Sequence, residues 1–306
     1  TRLRGLVRNA FSPEAVQRML PILTSYVDRL LADLQGRESF DLIDDYAAPL
    51  PVFVIASMLG VQDVDLRPLK EWSLKLSRIL DPLVSLEEYQ AMNDIVQAFE
   101  ASFHGTFALR RRQPGNDIIS GLLSEADGHD DLHERDLAAI CVLLFTTGEE
   151  TTVNLIGNGM LSLQRHPESW ARLRDEPELI GTAVEELLRF ESPVQLTTRV
   201  AREDLELGGR QIRAGDKIVA GIGAANRDPD VFEAADELRL DRQPNPHLAF
   251  GDGIHYCLGA LLARVQGCVA IRRLIESFPR LQIDVDALQW RRNIVVRGLQ
   301  HLRVRT

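Results

Sequence analysis

The sequence predicts a mainly α-helical protein with small β-sheets. Over residues 1–192, apolar side chains recur three and four positions apart, which is the spacing of one face of an α-helix. After Pro193 the pattern changes to short β-rich segments that are separated by glycine-containing turns. We therefore expect one domain over residues 1–306. Its helix-rich part covers residues 1–192, and its β-rich part covers residues 193–306.

The elements are predicted in chain order from their start and stop signals. Ser12 and Pro13 begin a helix that Gly36 ends, because serine caps a helix and proline suits its first position. The predicted helices then cover residues 51–59, 66–80, 86–112, 116–125 and 134–166, with two shorter ones within 169–190. Short strands follow at 196–200, 205–207, 211–212 and 217–222, then an irregular segment at 226–247, a helix that ends near 278 and a closing hairpin at 281–304.

Composition limits the class of protein. The chain has 306 residues and a net charge of −10, so nonspecific nucleic-acid binding, which requires basic patches, is not expected. The longest apolar run covers residues 137–145, which is far too short for a membrane span. The three cysteines are widely spaced, and no secretory signal precedes them. We therefore expect reduced thiols and a cytoplasmic location.

A glycine-rich loop at residues 250–259, with the sequence FGDGIHYCLG, carries the clearest chemical signal. Gly251 and Gly259 belong to a set of glycines that allow tight turns and the close approach of a flat cofactor. Cys257 comes just before a predicted helix, and a helix N-terminus favours thiolate over thiol. Cys257 is therefore a candidate metal ligand or nucleophile. By contrast, Cys141 and Cys268 lack such surroundings and are predicted to be core residues.

Two helical segments carry further candidate side chains. Glu186 and Arg189 lie three residues apart on one helix, where such a pair is usually solvated. The stretch 146–152, TTGEETT, interrupts the middle of the long helix with residues that disfavour helix interiors. It is either a packing kink or a groove where a small ligand meets the hydroxyl of Thr151 and the carboxyl of Glu150. A paired hydroxyl and carboxyl suit proton delivery.

Together these features resemble the cytochrome P450 family. The loop matches the family's haem-binding signature F-G-x-G-x-H-x-C-x-G at every fixed position. The resemblance implies that Cys257 is the proximal ligand of the iron of haem b. It also implies that His255 hydrogen-bonds a haem propionate and that Phe250 packs against the haem near the sulfur.

The resemblance extends to both helical segments. Glu186 and Arg189 match the family's buried E-x-x-R pair, and Arg242 is the best match for the arginine that completes this network. The stretch TGEETT resembles the family's oxygen-binding motif A-G-x-[DE]-T-T, with Gly148 at the haem. By this resemblance Thr151 steadies bound oxygen and Glu150 relays protons. One position departs from the motif, because Thr147 replaces alanine or glycine and is expected to narrow the groove or to hydrogen-bond substrate.

Weaker resemblances place further residues around the cofactor. Arg199 resembles the family's propionate-binding arginine, although without its neighbours it would more often be an ordinary surface residue, and Arg4 matches a second such arginine on an early helix. The residues that we expect to line the substrate pocket are Leu143, Thr147, Leu196 and Thr197.

The resemblance implies a monooxygenase that activates O2 and hydroxylates a small apolar organic substrate of secondary metabolism. Its electrons are expected from a ferredoxin or a similar carrier, which would dock on a basic patch that includes Arg4, Arg264 and Arg272. A peroxide-using haem protein of the same fold and an inactive fragment are the alternatives. The sequence opens inside a helical-looking run, and by analogy about a hundred residues are absent upstream. These residues would hold the N-terminal sheet, the first helices and a loop over the pocket.

Overall fold

The computed structural model describes residues 2–61, 65–81, 83–126, 132–286 and 288–306. These residues form helices over most of the chain up to residue 190 and short strands after it, which confirms the predicted fold class. The described helices are α1 (Arg2–Arg8), α2 (Pro13–Leu34), α3 (Pro49–Leu59), α4 (Leu66–Leu76), α5 (Leu86–Arg112), α6 (Ile118–Ala126), α7 (Glu134–Arg165), α8 (Pro167–Asp175), α9 (Ile180–Phe190), α10 (Ile222–Ala225) and α11 (Ala260–Ser277). The described strands are β1 (Ser39–Asp41), β2 (Leu196–Val200), β3 (Leu205–Leu207), β4 (Arg210–Ile212), β5 (Lys217–Gly221), β6 (Gln282–Ile283), β7 (Gln289–Trp290), β8 (Leu299–His301) and β9 (Arg303–Arg305).

The start of α2 follows the predicted capping chemistry. The Ser12 side chain accepts a hydrogen bond from the backbone N–H of Ala15 at 3.3 Å, and Pro13 occupies the first helical position. The Ser12 side chain satisfies one of the unpaired N–H groups at the start of the helix, and Pro13 has no N–H group that would need a partner. Helix α4 ends at Leu76 rather than at residue 80, because a 3₁₀ turn at Ser77–Leu80 follows it.

The C-terminal tail folds back on itself, as the predicted closing hairpin requires. Strands β6 and β9 pair antiparallel, and β7 and β8 form a second antiparallel pair between them. Strand β9 also pairs with β1, a contact that was not predicted because β1 lies far away in sequence. Phe40 of β1 lies opposite Val304 of β9, and both side chains are buried in the core. Burial of this pair favours the long-range pairing.

Helix α7 is the central element of the fold, and its threonines do not break it. It runs unbroken for 32 residues. The hydroxyl of Thr147 donates to the carbonyl of Leu143 at 2.7 Å, and the hydroxyl of Thr152 donates to the carbonyl of Gly148 at 3.4 Å. Such bonds to the preceding turn satisfy the hydroxyl groups inside a helix. The stretch is therefore a continuous part of α7.

Two described segments are long and apolar enough, by composition, to cross a membrane. They are Leu42–Leu59, which includes a π-helical turn at Leu42–Ala47 and α3, and Glu134–Arg165, which is α7. However, 72% and 61% of their most apolar stretches are buried inside the protein. Packing against other helices accounts for their apolar composition.

Candidate active site at the cysteine loop

The loop before α11 has the tight backbone that its glycines predict. Gly251 and Gly253 have φ angles of +71° and +66°, a conformation that favours glycine over other residues. The backbone N–H of Cys257 donates to the carbonyl of Phe250 at 2.8 Å, which closes the loop on itself. Cys257 is exposed and lies three residues before the first residue of α11. The loop therefore places Cys257 at the surface of the described protein.

The sulfur of Cys257 experiences opposing electrostatic effects. Burial of the sulfur among neighbouring atoms raises the pKa of the thiol, although the residue as a whole is exposed. The backbone N–H of Gly259 and the charges of Arg4 and Arg264 lower the pKa, by a smaller amount. The effect of the helix N-terminus has the expected sign, but burial outweighs it. A bound cation at the sulfur would reverse this balance, because a coordinating thiol loses its proton.

Helix α1 and the turn after it lie against one side of the loop. The guanidinium of Arg4 donates to the backbone carbonyl of Tyr256 at 2.6 Å and remains exposed. The ring of Phe11 is near Gly259, where an added Cβ would lie 3.9 Å from the ring. A hydrogen bond therefore holds the cationic side chain of Arg4 at the backbone immediately before Cys257.

A second network holds the loop from the side of α9. Both guanidinium nitrogens of Arg264 that face Glu185 donate to its carboxylate, at 2.7 and 2.9 Å, and His247 lies 3.1 Å from the same carboxylate. Arg264 also stacks on the ring of Phe250, 4.3 Å from its centroid, and donates to the hydroxyl of Tyr256 at 3.1 Å. Arg264 therefore positions the loop rather than standing free at the surface. Burial alone would raise the pKa of Glu185. The hydrogen bonds and charges of His247 and Arg264 together have the larger effect and lower this pKa to about 2.

Replacing Glu185 by glutamine should destabilise the protein at neutral pH and have little effect in acid. Because the pKa of Glu185 is lowered from 4.5 to about 2 on folding, its contribution is present above pH 4.5. That contribution is lost as the pH falls from 4.5 towards 2. We expect a loss of about 2–3 kcal/mol at pH 7, measured by urea unfolding. A gap between the two proteins that stays constant from pH 7 to pH 3 would contradict the assignment.

The predicted partners Glu186, Arg189 and Arg242 lie together in the core. Arg189 donates to both carboxylate oxygens of Glu186, at 2.7 and 2.8 Å, and Arg242 donates to both at 3.0 Å. The three side chains are 0%, 0% and 6% exposed, so Glu186 and Arg189 are not the solvated surface pair that their spacing usually indicates. The remaining donors of both arginines point to backbone carbonyls of the irregular segment, at Asn226, Glu233, Ala234, Ala235 and Glu237.

This network reaches the cysteine loop through Asn226. The side chain of Asn226 accepts from the backbone N–H of Leu248 at 2.7 Å and donates to the hydroxyl of Ser192 at 2.7 Å. Its own carbonyl accepts from Arg189. The start of the glycine-rich loop is therefore tied to buried groups of α9, which limits its movement.

One face of α7 is exposed in the middle of an otherwise buried helix. Leu143 is 60% exposed, and Thr147 and Thr151, four and eight residues later, lie on the same face. The hydroxyl of Thr151 donates to the carbonyl of Thr147 at 3.3 Å. Because the hydroxyl proton of Thr147 is already donated to Leu143, Thr147 presents to the groove a methyl group and an oxygen that can only accept.

Helices α7 and α11 bring this face to the level of the cysteine loop. A Cβ added at Gly267 would lie 2.8 Å from Leu155, and one added at Gly159 would lie 3.5 Å from Ile271. From the first contact to the second, the residue number rises by four on α7, from 155 to 159, and by four on α11, from 267 to 271. The two helices therefore run in the same direction. Since each helix advances about 1.5 Å per residue, residue 147 is level with residue 259. The exposed face of α7 and Cys257 therefore lie at the same level of the fold.

The remaining predicted residues lie on β2 and on the loop. The guanidinium of Arg199 is exposed and donates to the hydroxyl of Thr197 and to the carbonyl of Thr198. Leu196 and Thr197 are half-buried, and His255 is exposed. The structure thus leaves Arg4, Arg199 and His255 accessible, and none of them pairs with a carboxylate among the described residues.

This set of groups fits haem. Cys257 offers one thiol, a ligand that suits iron, and the positive φ angles of Gly251 and Gly253 keep side-chain bulk away from the loop surface. Arg4, Arg199 and His255 are cations or hydrogen-bond donors, which are the partners that propionate carboxylates require.

Some residues of the site could not be found from the sequence. The partners of Glu185 lie 62 and 79 residues away, at His247 and Arg264, so no short motif connects them. The adjacent pair Glu185-Glu186 was the only available signal, and only Glu186 belongs to a recognisable motif. His166, which follows the last residue of α7, is half-buried and packs edge-on against Phe190.

Comparison with known proteins agrees with these observations. A family model described as "Cytochrome P450" matches residues 84–287. The biotin biosynthesis cytochrome P450 of Bacillus subtilis is 42% identical over 303 residues, which are 99% of this chain and 76% of that protein. The vitamin D(3) 25-hydroxylase of Pseudonocardia autotrophica is 39% identical over 312 residues, which are 99% of this chain and 75% of that protein.

A solved structure shows the same fold. The crystal structure of P450BioI, in complex with an acyl carrier protein ligated to hexadec-9Z-enoic acid, superimposes with a TM-score of 0.94 at 42% identity. The match covers 99% of this chain and 78% of that chain.

Proposed function

This chain belongs to the cytochrome P450 family of monooxygenases, and on that basis we propose that it binds haem b through Cys257 and hydroxylates a small apolar substrate with O2. The observation that carries the proposal is the position of Cys257, which is exposed in a tight glycine loop at the level of the exposed stretch of α7. The family resemblance stated from the sequence is confirmed by the family model and by the relatives.

The residues around the loop suit distinct roles in holding the cofactor. Cys257 would ligate the iron, while Arg4, Arg199 and His255 would bind the propionates and Phe250 would pack beside the sulfur. When bound, thiolate-ligated haem supplies the chemistry that activates oxygen. The network of Glu185 and Arg264 keeps Phe250 and Tyr256 in place.

Glu150 and Thr151 are proposed to supply protons in the cleft. Burial raises the pKa of Glu150, and the Ser77 hydroxyl and the charge of Arg291 lower it by smaller amounts. A carboxyl with a raised pKa keeps its proton to a higher pH than an ordinary carboxyl does, which suits a general acid. The Thr151 hydroxyl, one residue later on the exposed face, would pass this proton to the cleft.

The substrate is proposed to lie against the exposed apolar face of α7. Leu143 supplies apolar surface, and Leu196 and Thr197 of β2 are placed to line the same pocket. Among the relatives, one is named for hydroxylation of vitamin D(3) and one for biotin biosynthesis. These names support an apolar organic substrate of biosynthetic metabolism, without distinguishing among ring or chain compounds.

Electrons are proposed to come from a ferredoxin-type protein in the cytoplasm. An acidic carrier would be attracted to cations on the cysteine side. Of the three arginines expected there, Arg264 pairs with Glu185 and Arg272 pairs with Glu276, so Arg4 carries most of the free charge of this set. The bacterial origin of the relatives and the net charge of −10 support the cytoplasmic location.

The test is the spectrum of the haem-loaded chain after reduction in the presence of carbon monoxide. We expect the red-shifted Soret band of thiolate ligation and one haem per chain. The variant Cys257→Ala should lose that band completely. The matched control Cys268→Ala changes a half-buried cysteine of α11 and should keep it.

Two outcomes would contradict the proposal. A normal thiolate band in Cys257→Ala would show that another residue ligates the iron. Turnover with peroxide but none with reduced ferredoxin would favour the peroxide-using alternative.

A further inference from the structure

We propose that Glu149 is a proton-supplying residue that acts through Glu150. In this proposal Glu149 holds a proton between α4 and α7 and passes it to Glu150 when Glu150 has given its own proton to the cleft. The inference rests on the proposed function, because it concerns the supply of protons to the same site.

The first observation is the burial of Glu149 without a hydrogen-bond partner. Its side chain is fully buried, and neither carboxylate oxygen has a hydrogen bond of normal geometry within the described part of the chain. Leaving a buried polar group unpaired is costly, and an unpaired charge costs more. A neutral, protonated carboxyl is therefore the form that this position tolerates.

The second observation is a cluster of polar groups around the two carboxyls. Ser73 of α4 lies beside Glu149, and Ser77, four residues later, lies beside Glu150. Arg291 acts on both carboxyls, so the compartment between α4, α7 and the segment after β7 lies within reach of both. Unpaired buried atoms in this compartment include the hydroxyl of Ser73, one oxygen of Glu150 and Nε of Arg291.

These groups suit a short chain of ordered water. Buried polar atoms that lack protein partners are the usual ligands of internal water, which makes two to four hydrogen bonds. Water between the carboxyls would allow a proton to leave Glu149 and reach the carboxylate of Glu150. The balance is simple, because Glu149 loses one proton, Glu150 gains it, and solvent returns one proton to Glu149.

Lys70 marks the outer side of the compartment. It lies on α4 one turn before Ser73 and forms an exposed ion pair with Asp44 at 3.1 Å. The titratable or charged groups that act on Glu149 are Lys70, Glu150 and Arg291, with the Ser73 hydroxyl beside it. Burial is the largest effect and raises the pKa of Glu149 to about 8, while Ser73 and Lys70 lower it by smaller amounts. The carboxyl is thus buried and protonated at neutral pH.

The first experiment needs no cofactor. Infrared difference spectra of the chain, recorded between pH 6 and pH 10, should show the carbonyl band of a protonated carboxyl that disappears with a midpoint near 8. The variant Glu149→Gln should lack this band. The matched control Glu178→Gln removes the same group from an exposed position and should retain it. A Glu149 that is already ionised at pH 7 would overturn the proposal, whatever the chain does with haem.

The second experiment uses the haem-loaded chain with a surrogate ferredoxin and its reductase. The measured quantity is the fraction of the consumed electrons that ends in hydrogen peroxide rather than in hydroxylated product. This fraction should rise when protons are not supplied to the site, because oxygen is then not used for hydroxylation. In the wild type this fraction should rise as the pH passes 8. In Glu149→Gln the peroxide fraction should be roughly tenfold higher at pH 7 and should no longer rise as the pH passes 8. Glu149→Asp should restore the wild-type fraction and its pH dependence.

The outcomes separate a proton-supplying role from a structural one. Glutamine has the shape of a protonated glutamate, so a residue that only supports the packing of α4 on α7 would leave the peroxide fraction unchanged. Equal fractions and equal pH profiles in the wild type and in Glu149→Gln would therefore overturn the inference. Failure of the proposed function would appear differently, as the loss of the thiolate Soret band in the wild type itself.

Discussion

Replacing Glu186 by alanine should lower the free energy of unfolding by about 3–5 kcal/mol. The carboxylate of Glu186 accepts four hydrogen bonds from Arg189 and Arg242, and it also accepts from the backbone N–H of Arg239 at 2.9 Å. Without it, two guanidinium groups would remain buried without a countercharge, which is far more costly than losing the pair itself. Urea unfolding at pH 7 measures the effect.

The same substitution should weaken retention of the cofactor. Because Arg189 also holds the carbonyl of Asn226, and Asn226 holds the start of the cysteine loop, the loop should lose its support. The control Asp175→Ala removes the carboxylate of an exposed ion pair with Arg174 and should change little. If both variants unfold at the same urea concentration, the network does not stabilise the core.

The second large effect concerns the pH dependence of stability. The pKa of Glu149 rises from 4.5 to about 8 on folding. Between these values the unfolded chain releases a proton that the folded chain keeps, so stability falls as the pH rises. The loss is about 1.4 kcal/mol per pH unit and reaches roughly 5 kcal/mol by pH 8, above which it is constant. Below pH 4.5 the residue has no such effect.

The variant Glu149→Gln does not titrate and should escape this loss. Its stability relative to the wild type should therefore increase steadily from pH 5 to pH 8, as followed by urea midpoints at each pH. The pKa of Glu150 is also raised by burial, and its charge raises the pKa of Glu149, so the difference between the two proteins reports the titration of Glu149 together with its coupling to Glu150. A constant difference between the two proteins over this range would contradict a buried, protonated Glu149.

Local patterns were sufficient to predict the helices and the cysteine loop. The caps of α2 and the apolar periodicity are encoded within a few residues, and the loop signature occupies ten consecutive positions. The helix-disfavouring stretch was harder to interpret, since tertiary packing along α7 overrides the weak propensities of its threonines. Bonds such as that from Thr147 to Leu143 further adapt them to the helix.

Long-range pairings were beyond local patterns. The pairing of β9 with β1 joins residues more than 260 positions apart, and nothing in either segment specifies the other. The same holds for Glu185 with Arg264, and for the contact of Ser73 with Glu149. In each case burial in the folded protein selects the partner, and burial is not visible in a short stretch of sequence.

The parallel contact of α7 with α11 limits how this protein can change in length. Gly159 and Gly267 fix both helices against each other, and the exposed threonines lie a fixed number of residues before these contacts. A single residue inserted between Thr151 and Leu155 would turn the hydroxyl by about 100° and shift it by about 1.5 Å along the axis. Insertions and deletions should therefore be tolerated in the turn at Gly208 and Gly209 between β3 and β4, and rejected between residues 151 and 155.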